Sequence, residues 1–108
     1  ESTGHVALIL DRDTYIAAAG TSKKQFLGKT VTDEVIDILE DRKPWNSMAS
    51  DRKLSIPGFE DANQMMVPII HEGDVVGAVI LLSHDKALGE LEETLCQTAA
   101  DFLAKQLG

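Results

Sequence analysis

A chain of 108 residues, 44% apolar and 26% charged, has the size of one domain and enough apolar content to build a core, which argues against two domains and against disorder. Its formal charge of −8 argues against a nucleic-acid or anionic-membrane surface on this chain, because phosphates are met by Lys and Arg. The single cysteine leaves no internal disulfide, multi-cysteine metal site or two-cysteine redox couple; with no apolar run near the ~20 residues of a bilayer span and no signal peptide, the chain reads as an acidic, soluble, cytoplasmic domain.

The segment His5–Asp11 is an apolar run of strand length, and Asp11-Arg12-Asp13 supplies turn chemistry. Thr14–Ala19 returns as a second strand closed by Gly20, so the two form a hairpin. Ser22 and Gln25 fit a capping box, Phe26 and Leu27 give an apolar anchor, and Gly28 suits a left-handed helix end; one or two helical turns are expected. Thr32 can cap a second helix, with Asp33 and Glu34 in its first turn. Val31, Val35, Ile38 and Leu39 trace one face of that helix, which should run to about Asp41. Its acidic residues Asp33, Glu34, Asp37, Glu40 and Asp41 form a solvated face.

From Arg42 to Ala62 the pattern weakens at Pro44-Trp45 and Pro57-Gly58. A loop is expected, with a short helix near Ser47–Ser50 and a short strand near Lys53–Ile56. Irregular stretches of this length are often functional. Asn63–His71 and Val75–Ser83, joined through Glu72-Gly73-Asp74, then predict a second hairpin. Its second strand is apolar on both faces, so both faces of the sheet should be covered. Pro68 belongs at a bulge or on an unpaired side, and Gly77 marks a close backbone approach or a sharp twist.

Ser83 or Asp85 should cap a last helix running from about Ala87 to Gln106. Leu88, Leu91, Leu95, Ala99, Phe102 and Gln106 trace one face, widened by Cys96, Ala100, Leu103 and Leu107. That arc exceeds what one sheet face needs, so this helix should also meet another helix, from a second subunit or from sequence upstream of Glu1. The order ββ, helices, irregular middle, ββ, helix predicts an α+β domain with an antiparallel central sheet and helices on both faces.

Little in the chain carries reaction chemistry. His5, His71 and His84 match no metal-ligand spacing, and their positions suit surface or capping roles. Ser83-His84-Asp85 are sequence neighbours whose side chains diverge, which precludes a catalytic relay. The acids near Cys96 raise rather than lower a thiol pKa. Asp11 and Asp13 serve a turn, and the dispersed glycines form no phosphate loop. No catalytic residue, metal site or cofactor is therefore assigned. What remains is a cavity: Tyr15, Phe26, Trp45, Met65 and Met66 are large or adaptable groups near the irregular segment and could line a small-ligand pocket, with a packed core as the alternative.

The stretch Met66-Val-Pro-Ile-Ile-His-Glu-Gly-Asp-Val-Val-Gly-Ala-Val-Ile80 resembles the sheet signature of GAF domains. Nearly end to end, the chain also resembles the family of stage V sporulation protein T C-terminal regulatory domains. The matching stretches are Gly4-His5 with the apolar run after it, Asp11–Asp13, Tyr15–Ala17, Ser22–Lys24, Gly73-Asp74, Gly77–Val79, Gly89-Glu90, Thr98–Ala100 and Phe102–Ala104. The resemblance implies a cytoplasmic transcription regulator of a spore-forming bacterium. Its DNA-binding part would be a basic swapped-hairpin domain upstream of residue 1, leaving residues 1–108 as a single sensing and oligomerising domain.

In that family a helix ahead of the sheet packs with the C-terminal helix in a bundle between subunits. Leu88, Leu91, Leu95 and Phe102 would line this interface in a dimer or tetramer. GAF domains elsewhere bind cyclic nucleotides, bilins, haem or small acids, and none of those residue sets is evident here. One cysteine is also too few for the GAF-type methionine sulfoxide reductases. A ligand entering between the sheet and the irregular middle would have to bind two arrangements with different affinity to shift the last helix. The rival readings are a ligand-free dimerisation module, a GAF sensor from another signalling protein, and a small enzyme.

Overall fold

The computed structural model describes residues 5–107. Its strands are β1 (Val6–Leu10), β2 (Tyr15–Ala19), β3 (Trp45–Asn46), β4 (Asn63–His71) and β5 (Asp74–Ser83), which form one antiparallel sheet in the order β2-β1-β5-β4-β3. The helices are α1 (Lys23–Phe26), α2 (Asp33–Leu39) and α3 (Glu90–Leu107). This is the α+β arrangement expected from the order of elements.

The strands form where apolar side chains recur at a period of two. On one face of the sheet, Leu8 and Leu10 of β1, Met66 of β4 and Ile80 and Leu82 of β5 join Phe26 of α1 and Val35, Ile38 and Leu39 of α2 in one buried cluster. On the other face, Met65, Val67 and Ile69 of β4 and Val79 of β5 meet Cys96, Ala100 and Ala104 of α3. Both hairpins form as their turn residues dictate. The Asp11 carboxylate accepts from the N–H groups of Asp13 (2.8 Å) and Thr14 (2.9 Å). Glu72 and Gly73 take φ of 50° and 86°, the left-handed pair that a two-residue hairpin turn needs.

Gly77 shows why a strand centre carries no side chain. A Cβ there would run into the backbone carbonyl oxygen of Leu10. The two hairpins are thereby pressed together, and Arg12 Nε donates to Val75 O (3.1 Å) across the same seam. Pro68 lies on β4 past the end of β3, which pairs only with Met65 and Met66, and next to a register shift at Ile69/Ile70. An amide that cannot donate is tolerated at such an edge.

Several sequence expectations are corrected. The Ser22–Gln25 capping box does not form: the Ser22 side chain makes no cap bond, and Gln25 Nε2 instead donates to Pro57 O (3.2 Å). Thr32 occupies the N-cap position of α2 without a side-chain cap, its hydroxyl lying 3.5 Å from Ser55 O. In both cases the longer-range partner displaces the local one. Residues 53–56 are not a strand; the short strand of the middle region is Trp45–Asn46, followed by a 3-10 turn at Ser47–Ala49.

The last helix begins at Glu90 rather than Ala87. The Ser83 hydroxyl is used in a turn, accepting from the N–H groups of Asp85 and Lys86. The helix start is set instead by Glu92, whose carboxylate accepts from the Gly89 N–H (2.8 Å), while Glu93 N–H donates to Gly89 O (3.0 Å).

Candidate functional site

The five candidate pocket residues do not converge on one point. Tyr15, Phe26 and Met66 are buried on the α1/α2 side of the sheet, and Trp45, half-buried on the edge strand, packs against the same cluster. Met65 lies on the opposite face with α3. Adjacent residues of a strand point to opposite sides, so Met65 and Met66 cannot share a pocket. The Tyr15 and Phe26 rings meet edge to face with centroids 5.4 Å apart, and Phe59 continues the chain 6.3 Å from Phe26.

The compartment between the sheet and α2 is filled by the chain itself. Leu54 and Ile56, from the irregular middle, are 0% exposed and belong to the same cluster as Tyr15, Phe26 and Met66. No strand ladder holds this strap. Instead Gln64, buried within β4, accepts from Leu54 N–H (2.7 Å) through Oε1 and donates through Nε2 to Leu54 O (3.0 Å) and Phe59 O (2.8 Å). Lys53 Nζ adds a bond to Ala62 O (2.6 Å), and an exposed ion pair joins Arg52 to Asp37 (3.1 Å). Sequence reasoning passed over Gln64. Its signal is an amide directly before the apolar run Met65–Ile70, at the strand position that alternates with inward Met66, since a buried polar group there requires partners.

Tyr15 is 3% exposed, and its hydroxyl has no hydrogen-bond partner. Burial pushes its pKa up to about 12. Cys96 is buried against the sheet and pushed up to about 11, chiefly by burial and further by the charges of Glu92 and Glu93. A thiol held in its protonated form is a poor nucleophile. His71 pairs with Glu72 (3.5 Å) at the hairpin tip, and His84 stacks on Phe59 at 5.1 Å. Among the described residues no three His, Cys, Asp or Glu side chains gather into a metal-ligating group.

The second candidate surface is the outward side of α3. Leu91, Leu95 and Phe102 are 68%, 60% and 64% exposed, and their spacing of four and seven residues places them on one stripe. Leu88, grouped with them by spacing, lies instead in the core at 2% exposure, ahead of the helix, where its carbonyl accepts from Asn46 Nδ2 (2.8 Å). The later helix start explains the difference: Leu88 never joins the helical face.

Beside the stripe runs a groove of about 370 Å³ lined by His5, Ala7, Val79, Leu81, Leu95 and Ala99, among others. The register places Ala17 opposite Ile9 and Ala19 opposite Ala7, so this half of the sheet presents small and apolar groups that α3 covers only in part, through Ile9. No helix of the described residues is long and apolar enough to cross a membrane.

Comparison with known proteins adds family context. The family model described as "Stage V sporulation protein T C-terminal, transcription factor" matches residues 1–108. Stage V sporulation protein T of Bacillus subtilis (strain 168) is 40% identical over 111 residues, covering 99% of this chain and 61% of that protein. The chain thus spans about three-fifths of the length of this relative.

Two solved structures share the fold. One is the GAF domain of a phosphoenolpyruvate-protein phosphotransferase from Coxiella burnetii, at TM-score 0.71 and 22% identity over 94% of this chain and 70% of that one. The other is a type II free methionine-R-sulfoxide reductase from Thermoplasma acidophilum, at TM-score 0.71 and 14% identity over 94% and 77%. At these identities the likeness concerns the fold.

Proposed function

Because the chain belongs to the family of stage V sporulation protein T C-terminal domains, we propose that it is the ligand-sensing and oligomerising domain of a cytoplasmic sporulation transcription regulator. The observation that carries this reading is the apolar stripe Leu91, Leu95 and Phe102, continuous with the partly covered half of the sheet. A water-facing apolar surface of this extent marks an interface. A helix laid in the groove would touch the stripe on one side and the alanine-rich half-sheet on the other. It would come from a second subunit or from the part of the protein outside this chain. DNA contact falls to a basic domain outside the chain, since this one carries a net −8.

No step of chemistry is assigned to the chain. The signal is mechanical: a small molecule that favours one arrangement of the α2 side shifts the sheet, and α3 on its far face moves the attached DNA-binding parts. Sedimentation and light scattering test the assembly. The chain should associate, and Leu91→Asp or Phe102→Asp should shift it to monomers while far-ultraviolet circular dichroism is retained. A wild-type chain that stays monomeric across the micromolar range removes the oligomeric half of the reading. A thermal-shift screen of small metabolites tests the sensing half.

The filled compartment under Leu54 and Ile56 favours a second reading, a dimerisation module without a ligand. On that reading Trp45→Ala leaves both assembly and repression unchanged.

A further inference from the structure

We infer that the Leu54–Ile56 strap is a built-in occupant of the sensing compartment, latched by Gln64, and that the ligand exchanging with it is a small apolar molecule bearing one hydrogen-bond acceptor for the Tyr15 hydroxyl. The inference rests on the ligand-sensing reading above and specifies its site.

Three observations support it. The strap sits deep, with Leu54 and Ile56 fully buried, yet no ladder ties it to the sheet. Its backbone bonds are local, from Ile56 N–H to Leu54 O (3.1 Å) and from Phe59 N–H to Ile56 O (2.8 Å), and its longer-range bonds go to side chains: Gln64, Thr32 to Ser55 O, and Gln25 to Pro57 O. A segment held through side chains at its margins can leave without breaking the sheet. Gln64 is the central tie, because one amide engages both polar groups of Leu54 and the carbonyl of Phe59. Strap exit frees these at once and opens the space to water.

The third observation is the Tyr15 hydroxyl. Other buried polar groups nearby are satisfied: the Gln64 amide by the strap, the Ser47 hydroxyl by the Gln64 N–H (2.9 Å). Tyr15 OH has no partner while the strap is in, and Leu54 and Ile56 bring only hydrocarbon side chains to the cluster they share with it. A buried donor without an acceptor is costly and calls for an explanation. An incoming carbonyl supplies the missing acceptor, and the Phe26 ring and Met66 supply the apolar wall. The two occupants compete for one space, so occupancy by ligand and strap release are a single event.

The test is native-state hydrogen exchange of the whole chain, read residue by residue, with acetophenone and ethylbenzene as matched probes that differ in the carbonyl. In the wild type the Leu54 amide should exchange at least about 100-fold faster than the Leu8 and Ile80 amides, reporting a local opening rather than global unfolding. Gln64→Ala should speed Leu54 by a further factor of about 10 relative to those strand amides.

Acetophenone at millimolar concentration should deprotect Leu54 further and leave Ile80 protected. Ethylbenzene should do so more weakly, and Tyr15→Phe should erase the difference between the probes. A Leu54 amide that exchanges only with the strands overturns the latch, while a thermal-shift hit at another place would leave the sensing reading intact. Opening with equal response to both probes overturns the role of Tyr15. Opening with response to neither probe, and no hit in the thermal-shift screen, overturns the inference together with the reading it rests on.

Discussion

One side of the central sheet is closed twice over, by α1 and α2 and then by the Leu54–Ile56 strap, while the other side is covered by α3 over β4 and β5 and only partly covered over β1 and β2. The same strands build both sides, so the difference comes from the covering layer. On the α2 side a polar residue inside a strand, Gln64, recruits an irregular segment and completes the layer. On the α3 side one helix of 18 residues cannot span five strands, and its own outer stripe remains apolar. Burial alone therefore separates a surface completed within the chain from one left open to water.

The contrast is broken most severely by truncation within the closed side. Phe26→Ala should cost about 3–5 kcal/mol in urea unfolding, whereas Phe102→Ala in the dissociated chain should change stability by less than about 0.5 kcal/mol. Equal losses would mean that the α3 stripe is covered in the monomer. Gln64→Leu comes next. It strands the buried N–H of Leu54 and leaves the carbonyls of Leu54 and Phe59 only their bonds from Ile56 N–H and Ala62 N–H, and should cost about 2 kcal/mol, read as a lower urea midpoint.

A pH titration isolates Tyr15. Burial disfavours the tyrosinate in the folded chain, so the unfolded chain releases this proton first. Stability is then indifferent to this group below pH 10 and falls by about 1.4 kcal/mol per pH unit from pH 10 to about 12. Tyr15→Phe should remove that part of the slope and, having no hydrogen bond to lose, leave stability at neutral pH within about 1 kcal/mol. The smallest effect belongs to Arg52→Ala. The Arg52–Asp37 pair is about half exposed on the arginine side and more so on the aspartate side, and its loss should register below about 0.5 kcal/mol.

The hairpins and α2 were legible in the sequence because their signals are local: a period of two broken by Asp11 or by Glu72-Gly73, and a period near 3.6 at Val31, Val35, Ile38 and Leu39. The excess apolar surface of α3 was legible for the same reason, as a stripe too wide for one sheet. The strap was not. Leu54 and Ile56 carry an apolar alternation that reads as strand, and their conformation is decided by an amide ten residues away in sequence. Local capping rules failed at Ser22 and Thr32 where partners on the strap intervene, through Gln25 to Pro57 and Thr32 to Ser55. The separation of Met65 from Met66 was available from strand periodicity alone. Gly4, the first of the family-like residues, lies outside the described residues.

The place of β5 between β1 and β4 bears on how the molecule assembles. Val6 pairs with Leu82 and Leu10 with Ala78, so the middle of the sheet joins segments from distant parts of the polypeptide. During synthesis the first hairpin emerges long before its neighbour, and its inner edge waits unpaired until residue 83 has cleared the ribosome. Such distant pairing slows folding and leaves an early hydrophobic edge open to chaperones or to a neighbouring nascent copy.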